Sequence, residues 1–83
     1  MNYYVYILRC ADDTLYTGIT TDVDRRVLEH NGNEVGAKYT RARQPVQLVY
    51  SAKFSDRSSA SKEEFRIKQM TRSQKELLVK SGA

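Results

Sequence analysis

The sequence predicts an α/β (α+β) fold of element order β-β-α-β-α-α, a small sandwich in which a three-stranded sheet is flanked by helices. Three observations lead there. The chain opens on an aromatic and β-branched run, YYVYILR, apolar on both faces as a central strand needs. A second short run, TLYTGI, follows a polar turn closely enough to form a hairpin with the first. Past the third strand, two helix-forming stretches each begin at residues suited to capping.

The first strand is expected at residues 3–9, the turn at Ala11-Asp12-Asp13 and the second strand at 14–19. Gly18, inside that second strand, marks a bulge or a place where another group comes close to the backbone. The first helix starts at Thr21 as N-cap, with Asp24 as its capping partner three residues on. Val23, Val27 and Leu28 form its inward stripe, and Asn31-Gly32 ends it. A polar loop spans 32–44 and contains GAKYTRAR. The third strand covers 46–54, where Val46, Leu48 and Tyr50 alternate with Gln47, Val49 and Ser51. The second helix runs from Asp56 or Ser58 to Met70, and the third follows Ser73, capped with Glu76 and packing Leu77, Leu78 and Val79 inward.

Composition narrows the function classes. With 83 residues the chain fits one small domain, expected to occupy 1–83. Such a domain buries only about 60–65% of its unfolded surface, so its stability is modest. The single cysteine, Cys10, excludes an internal disulfide and a zinc site built on paired thiolates. Free thiol chemistry points to a reducing compartment, the cytoplasm. The first ten residues do not read as a secretory signal, and no run reaches membrane-span length, so no membrane partner is expected. Net charge is +4 with a pI near 9.4, which favours acidic partners, nucleic acid first.

Candidate chemistry begins with Glu64. It lies in the middle of an apolar stripe of Ala60, Phe65 and Ile67, where a carboxylate calls for a cation or a metal. The plain reading is an ion pair with Lys68 one turn later. Arg26 and His30 share one face of the first helix at i, i+4, read as its exposed side. The plain readings are a solvated charged face and, for His30, a helix C-terminal cap. Arg25 points elsewhere. Tyr6 and Tyr16 have the same parity across the hairpin, so both can face the start of the first helix. Two phenols, a guanidinium and an imidazole near one carboxylate suit phosphodiester hydrolysis, which needs an activated water, positive charge at the phosphate and a hard cation on a carboxylate. The plain reading of the phenols, without a cation to lower their pKa, is packing and hydrogen bonding.

The blocks YVYIL, YTG, TDVDRRVLEHN and EFRIK, in that order and spacing, resemble the GIY-YIG nuclease superfamily. LYTGITTDVDRRVLEHN followed by GAKYTRARQPVQLVY is similar to its small stand-alone bacterial single-domain proteins. The resemblance spans residues 2 to about 79. It implies a three-stranded antiparallel sheet flanked by helices and a metal-dependent endonuclease acting on DNA, in repair or recombination. It places the two motif tyrosines on Tyr6 and Tyr16, the family arginine on Arg26, the histidine one turn later on His30 and the metal-binding glutamate on Glu64. One Mg²⁺ or Mn²⁺ would rest on Glu64, Arg26 would neutralise the phosphate, and Tyr16 would activate water with Tyr6 and His30 in support. Gly18 would let backbone and substrate approach. The first triplet here is Tyr4-Val5-Tyr6 and the second carries Thr17 in place of isoleucine; neither change removes a chemical group.

Substrate grip is expected from Lys38, Tyr39, Arg41 and Arg43 in the loop, and from Lys68, since cations interleaved with an aromatic contact phosphates while stacking a base. The plain reading there is a solvated, charged loop. Homing and excision-repair nucleases attach this module to separate DNA-binding domains, so a protein partner supplying targeting is a further expectation. Two other readings stand beside the nuclease: a nucleic-acid-binding module without catalysis, and an interaction domain with a vestigial site.

Overall fold

A computed structural model describes residues 1–32 and 38–82. Three strands, β1 (Tyr3–Arg9), β2 (Leu15–Thr20) and β3 (Gln47–Phe54), form one sheet of order β2-β1-β3. Both pairings are antiparallel. The strand that is apolar on both faces is the central one, as its sequence requires. Four helices surround the sheet: α1 (Val23–Asn31), α2 (Lys38–Arg41), α3 (Arg57–Lys68) and α4 (Arg72–Gly82).

Successive β1 side chains alternate between two cores. Val5 and Ile7 pack with Ala60 and Ile67 of α3, and Leu78 and Val79 of α4 add to that cluster. Tyr6, Leu8 and Cys10 point the other way and pack with Val46 and with Val27 of α1. Each fully buried aliphatic side chain contributes about 1.5–3 kcal/mol, so Val5, Ile7, Leu8 and Ile67 anchor the layers. At the sheet's end, the bidentate contact of Arg9 with Glu76, at 3.0 and 2.6 Å, ties β1 to α4. Asp13 and Arg72 join the same network. In the hairpin turn Asp13 has φ 68°, a left-handed conformation that aspartate tolerates better than most residues.

Several local expectations change. Asp22, not Thr21, caps α1, accepting the Arg25 N–H at 3.1 Å. Asp56 caps α3. The reciprocal cap of α4 is Thr71 with Gln74, at 3.2 and 2.9 Å, whereas Glu76 is drawn to Arg9. Leu28, Phe65 and Leu77 stand 74%, 67% and 66% exposed and belong to neither core. A register shift between Ile7 and Leu8 breaks the simple alternation of β3, so Tyr50 pairs with Ile7 and Leu48 with Leu8. The predicted loop holds the short helix α2; its residues 33–37 lie outside the described residues.

Candidate active site

Register brings the two phenols together. Tyr6 pairs with Gly18 and Leu8 with Tyr16, so both tyrosines project from the same sheet face, with ring centroids 6.5 Å apart. Tyr6 lies across Gly18. A Cβ at that glycine would fall 2.6 Å from the Tyr6 hydroxyl, so the group that approaches the Gly18 backbone is this phenol. The ring thereby places its hydroxyl over β2, an edge strand of the sheet.

Helix α1 brings His30 and Arg26 to that hydroxyl. His30 was expected on an exposed face and is instead fully buried, at 0% exposure. Its Nε2 lies 2.8 Å from the Tyr6 hydroxyl and its Nδ1 2.7 Å from Thr40 Oγ1 of α2. The imidazole stays inside because it has polar partners at both ends, which a buried ring nitrogen needs. Burial, with the Arg26 charge beside it, pulls the His30 pKa down to about 4. The ring is therefore neutral at pH 7. Arg26 is half-buried and meets Glu29 at 2.8 Å, which raises its pKa; Tyr6 adds to the shift. Burial raises the Tyr6 pKa, the nearby Arg26 guanidinium pulls it the other way, and the charges at Tyr16 and Glu64 add to the rise.

The remaining aromatic groups form a stack. Tyr16 meets the edge of His30 at 5.1 Å and stacks on Tyr39 at 5.9 Å, with ring planes 28° apart. Arg43 lies over Tyr39 with its guanidinium carbon 4.0 Å from the ring centroid. Arg43 also bonds Asp12 at 2.9 Å and the Tyr39 carbonyl at 2.9 Å. These contacts fasten α2 to the hairpin turn, and the Ala11 N–H to Arg43 O bond of 2.8 Å reinforces them. Gln44 donates to the carbonyls of His30 and Gly32 at 2.9 and 2.6 Å, closing the end of α1.

The family model of the GIY-YIG catalytic domain matches residues 2–77. The chain belongs to the GIY-YIG family. A UPF0213 protein of Desulfotalea psychrophila is 56% identical over 80 residues, covering 96% of this chain and 73% of that protein. One from Natronomonas pharaonis is 55% identical over 78 residues, covering 94% and 91%. The solution NMR structure of the UPF0213 protein BH0048 from Bacillus halodurans superposes with TM-score 0.63 at 49% identity, covering 96% of this chain and 84% of that one. That of protein EF2693 from E. faecalis gives 0.66 at 43%, covering 98% and 85%.

Of the site residues expected from the sequence, Tyr6, Tyr16, Arg26 and His30 lie on one face, and Glu64 comes from a helix on the other. Its helix α3 packs against Val5 and Ile7, on the face opposite the phenols. Glu64 is half-buried and pairs with Lys68 at 3.1 Å, the plain reading of its spacing. Its charge is still felt at the Tyr6 hydroxyl, as the smallest of the influences there. Among the described residues no three of His, Cys, Asp and Glu gather into a metal-binding cluster. A cation held at Glu64 would therefore meet fewer than three protein ligands of these types among the described residues. This fits Mg²⁺ or Mn²⁺, which take one or two carboxylates and complete their shell with water and substrate phosphate.

The residues expected to grip nucleic acid divide in two. Lys38 and Arg41 are exposed and make no ion pair among the described residues. Tyr39, Arg43 and Lys68 are engaged within the protein, in the aromatic stack, with Asp12 and with Glu64. Thr40 and the clamp of Asp12 on Arg43 were not anticipated. A four-residue helix has too few turns for periodicity to reveal its inward position. Among the described residues no helix is long and apolar enough to cross a membrane.

Proposed function

We propose that this GIY-YIG domain is a nuclease that hydrolyses phosphodiester bonds of DNA with the help of one divalent cation. The carrying observation is the meeting of Tyr6, Tyr16, Arg26 and His30 on one sheet face, beside the edge strand and within the electrostatic reach of Glu64. Arg26 is the phosphate-facing cation, already aligned by Glu29 and Tyr6. Its planar fork matches two phosphate oxygens at once, a role that lysine does not fill. The Tyr6 hydroxyl is buried against His30, which leaves the half-buried Tyr16 as the phenol that orients the attacking water. In the reaction the water oxygen adds to phosphorus and gives up a proton, the bond from phosphorus to the leaving sugar oxygen breaks, and that oxygen takes up a proton from solvent. Glu64 would hold Mg²⁺ or Mn²⁺, which supplies Lewis-acid charge at the phosphate. Lys38 and Arg41 would contact the flanking backbone, making affinity steeply salt-dependent. A setting in repair or recombination, and a partner protein that supplies targeting, extend the same proposal.

The Lys68–Glu64 pair favours the second reading, a nucleic-acid-binding module without catalysis, because a cation at Glu64 has to displace an ammonium already there. A panel of duplex, branched and single-stranded DNA and of RNA, with Mg²⁺, Mn²⁺ or chelator, separates the two. The nuclease reading expects metal-dependent nicking of DNA. Salt-sensitive binding with no cleavage under any metal would leave the binding module in its place, and neither binding nor cleavage would leave an interaction domain.

A further inference from the structure

Tyr6, His30 and Thr40 are all buried, and each of the two hydrogen bonds joining them has a direction that the donors and acceptors decide. A phenol proton buried at Tyr6 needs an acceptor. Arg26 cannot be one, because a guanidinium carries only donors. The hydrogen-bond acceptor beside the Tyr6 hydroxyl, among the described residues, is His30 Nε2 at 2.8 Å. The Tyr6 O–H therefore donates to Nε2. A neutral imidazole has one N–H, which must then sit on Nδ1, and Nδ1–H donates to Thr40 Oγ1 at 2.7 Å.

Resting on the nuclease reading for its consequence but not for its geometry, we propose that Thr40 is a positioning residue. By accepting His30 Nδ1–H, it holds a one-way chain, Tyr6 to His30 to Thr40, that fixes the direction of the Tyr6 O–H. The opposite tautomer would put a proton on Nε2 and turn the Tyr6 proton away from His30. That proton would then point away from the imidazole, and the orientation of the phenol beside Tyr16 would no longer be fixed. The ring's low proton affinity makes it a fixed dipole here: at pH 7 only about one ring in a thousand carries a second proton.

His30 is the only histidine in the chain, so its two ring nitrogens can be observed without ambiguity. The test is a long-range ¹H–¹⁵N correlation spectrum of the full chain at pH 7, with neither DNA nor metal added. The expected result is a protonated, pyrrole-type Nδ1 and an unprotonated, pyridine-type Nε2. A wild-type ring protonated on Nε2 would overturn the proposal. Thr40→Val should move the ring into a mixture or into the Nε2–H form, and Thr40→Ser should restore the wild-type pattern. A folded Thr40→Val protein with an unchanged tautomer would also overturn it. If Thr40→Val does not fold, the wild-type and Thr40→Ser spectra decide. Where cleavage is measurable, Thr40→Val should slow it about tenfold or more, with Thr40→Ser near wild type, as for other partners that orient a functional histidine. The spectrum needs no nuclease activity, so a failed nuclease reading leaves this result standing on its own.

Discussion

The two faces of the sheet solve different problems. On the face toward α3 and α4, Val5, Ile7, Ala60 and Ile67 make an aliphatic core. On the face toward α1 and α2, the interior holds Tyr6, His30 and Thr40 joined by hydrogen bonds at 2.8 and 2.7 Å. The first arrangement stabilises through burial alone. The second spends part of its interior on polar groups whose burial is tolerable only while every partner is in place. One face therefore stabilises through burial, and the other carries Tyr6, Tyr16 and His30 of the proposed site. The difference also explains why a hydroxyl that is harmless on the second face is a defect on the first.

The largest expected effect tests the aliphatic side. Ile67→Ala should lower unfolding free energy by about 3 kcal/mol in a urea titration, since it opens a cavity at a fully buried position. At substrate and protein concentrations where the variant stays folded, its cleavage rate should change little. A comparable loss of cleavage would show that the two faces are not separable.

The next effect belongs to the polar side. His30 has its folded pKa lowered from 6.5 to about 4 by burial and by Arg26, opposed by Glu29. Its stabilising contribution is therefore complete above about pH 6.5 and is lost as pH falls toward 4, because the unfolded chain binds the proton more readily in that window. Urea midpoints across that range should report a decline of roughly 3 kcal/mol beyond the carboxylate background. The His30 ring resonances should not titrate above about pH 5. A ring titrating near 6.5 would place it in water.

Gly18→Ala comes third. The added methyl would meet Tyr6, whose hydroxyl is held by His30 and cannot simply swing aside. A loss of about 1–2 kcal/mol is expected, with perturbed Tyr6 and His30 resonances. Smallest is Thr17→Val. Thr17 pairs with Ile7 across the hairpin on the aliphatic side, and its buried hydroxyl has no hydrogen-bond partner among the described residues. Replacing that hydroxyl by a methyl should raise stability by about 1 kcal/mol in thermal or urea unfolding. Destabilisation instead would mean that the hydroxyl is engaged.

The parts legible in the sequence were those with a strict local period. A strand's two-residue repeat put Tyr6 and Tyr16 on one face, and the doubly apolar β1 marked itself as central. Helical spacing also joined Arg26 to His30, but i, i+4 fixes only that two residues share a side and not whether that side faces water. His30 turned inward because Tyr6 and Thr40 supply partners from elsewhere in the chain. Similarly, Ser73–Glu76 and Thr71–Gln74 both fit a capping pattern, and the choice was made by Arg9, 67 residues away, drawing off Glu76. Glu64 shows the same limit from the other direction. Its spacing identified both the Lys68 partner and the metal-ligand candidate, and nothing local revealed that its helix lies across the sheet from the phenols.

The most direct measurement is the single-turnover nicking of DNA by the wild-type chain, Arg26→Lys and Glu64→Gln, each first shown to be folded by its urea midpoint. The expected outcome is cleavage by the wild type that needs Mg²⁺ or Mn²⁺, with a loss of about 100-fold or more in each variant. Wild-type rates in both variants, or undiminished wild-type cleavage in chelator, would contradict the proposed roles of Arg26 and Glu64.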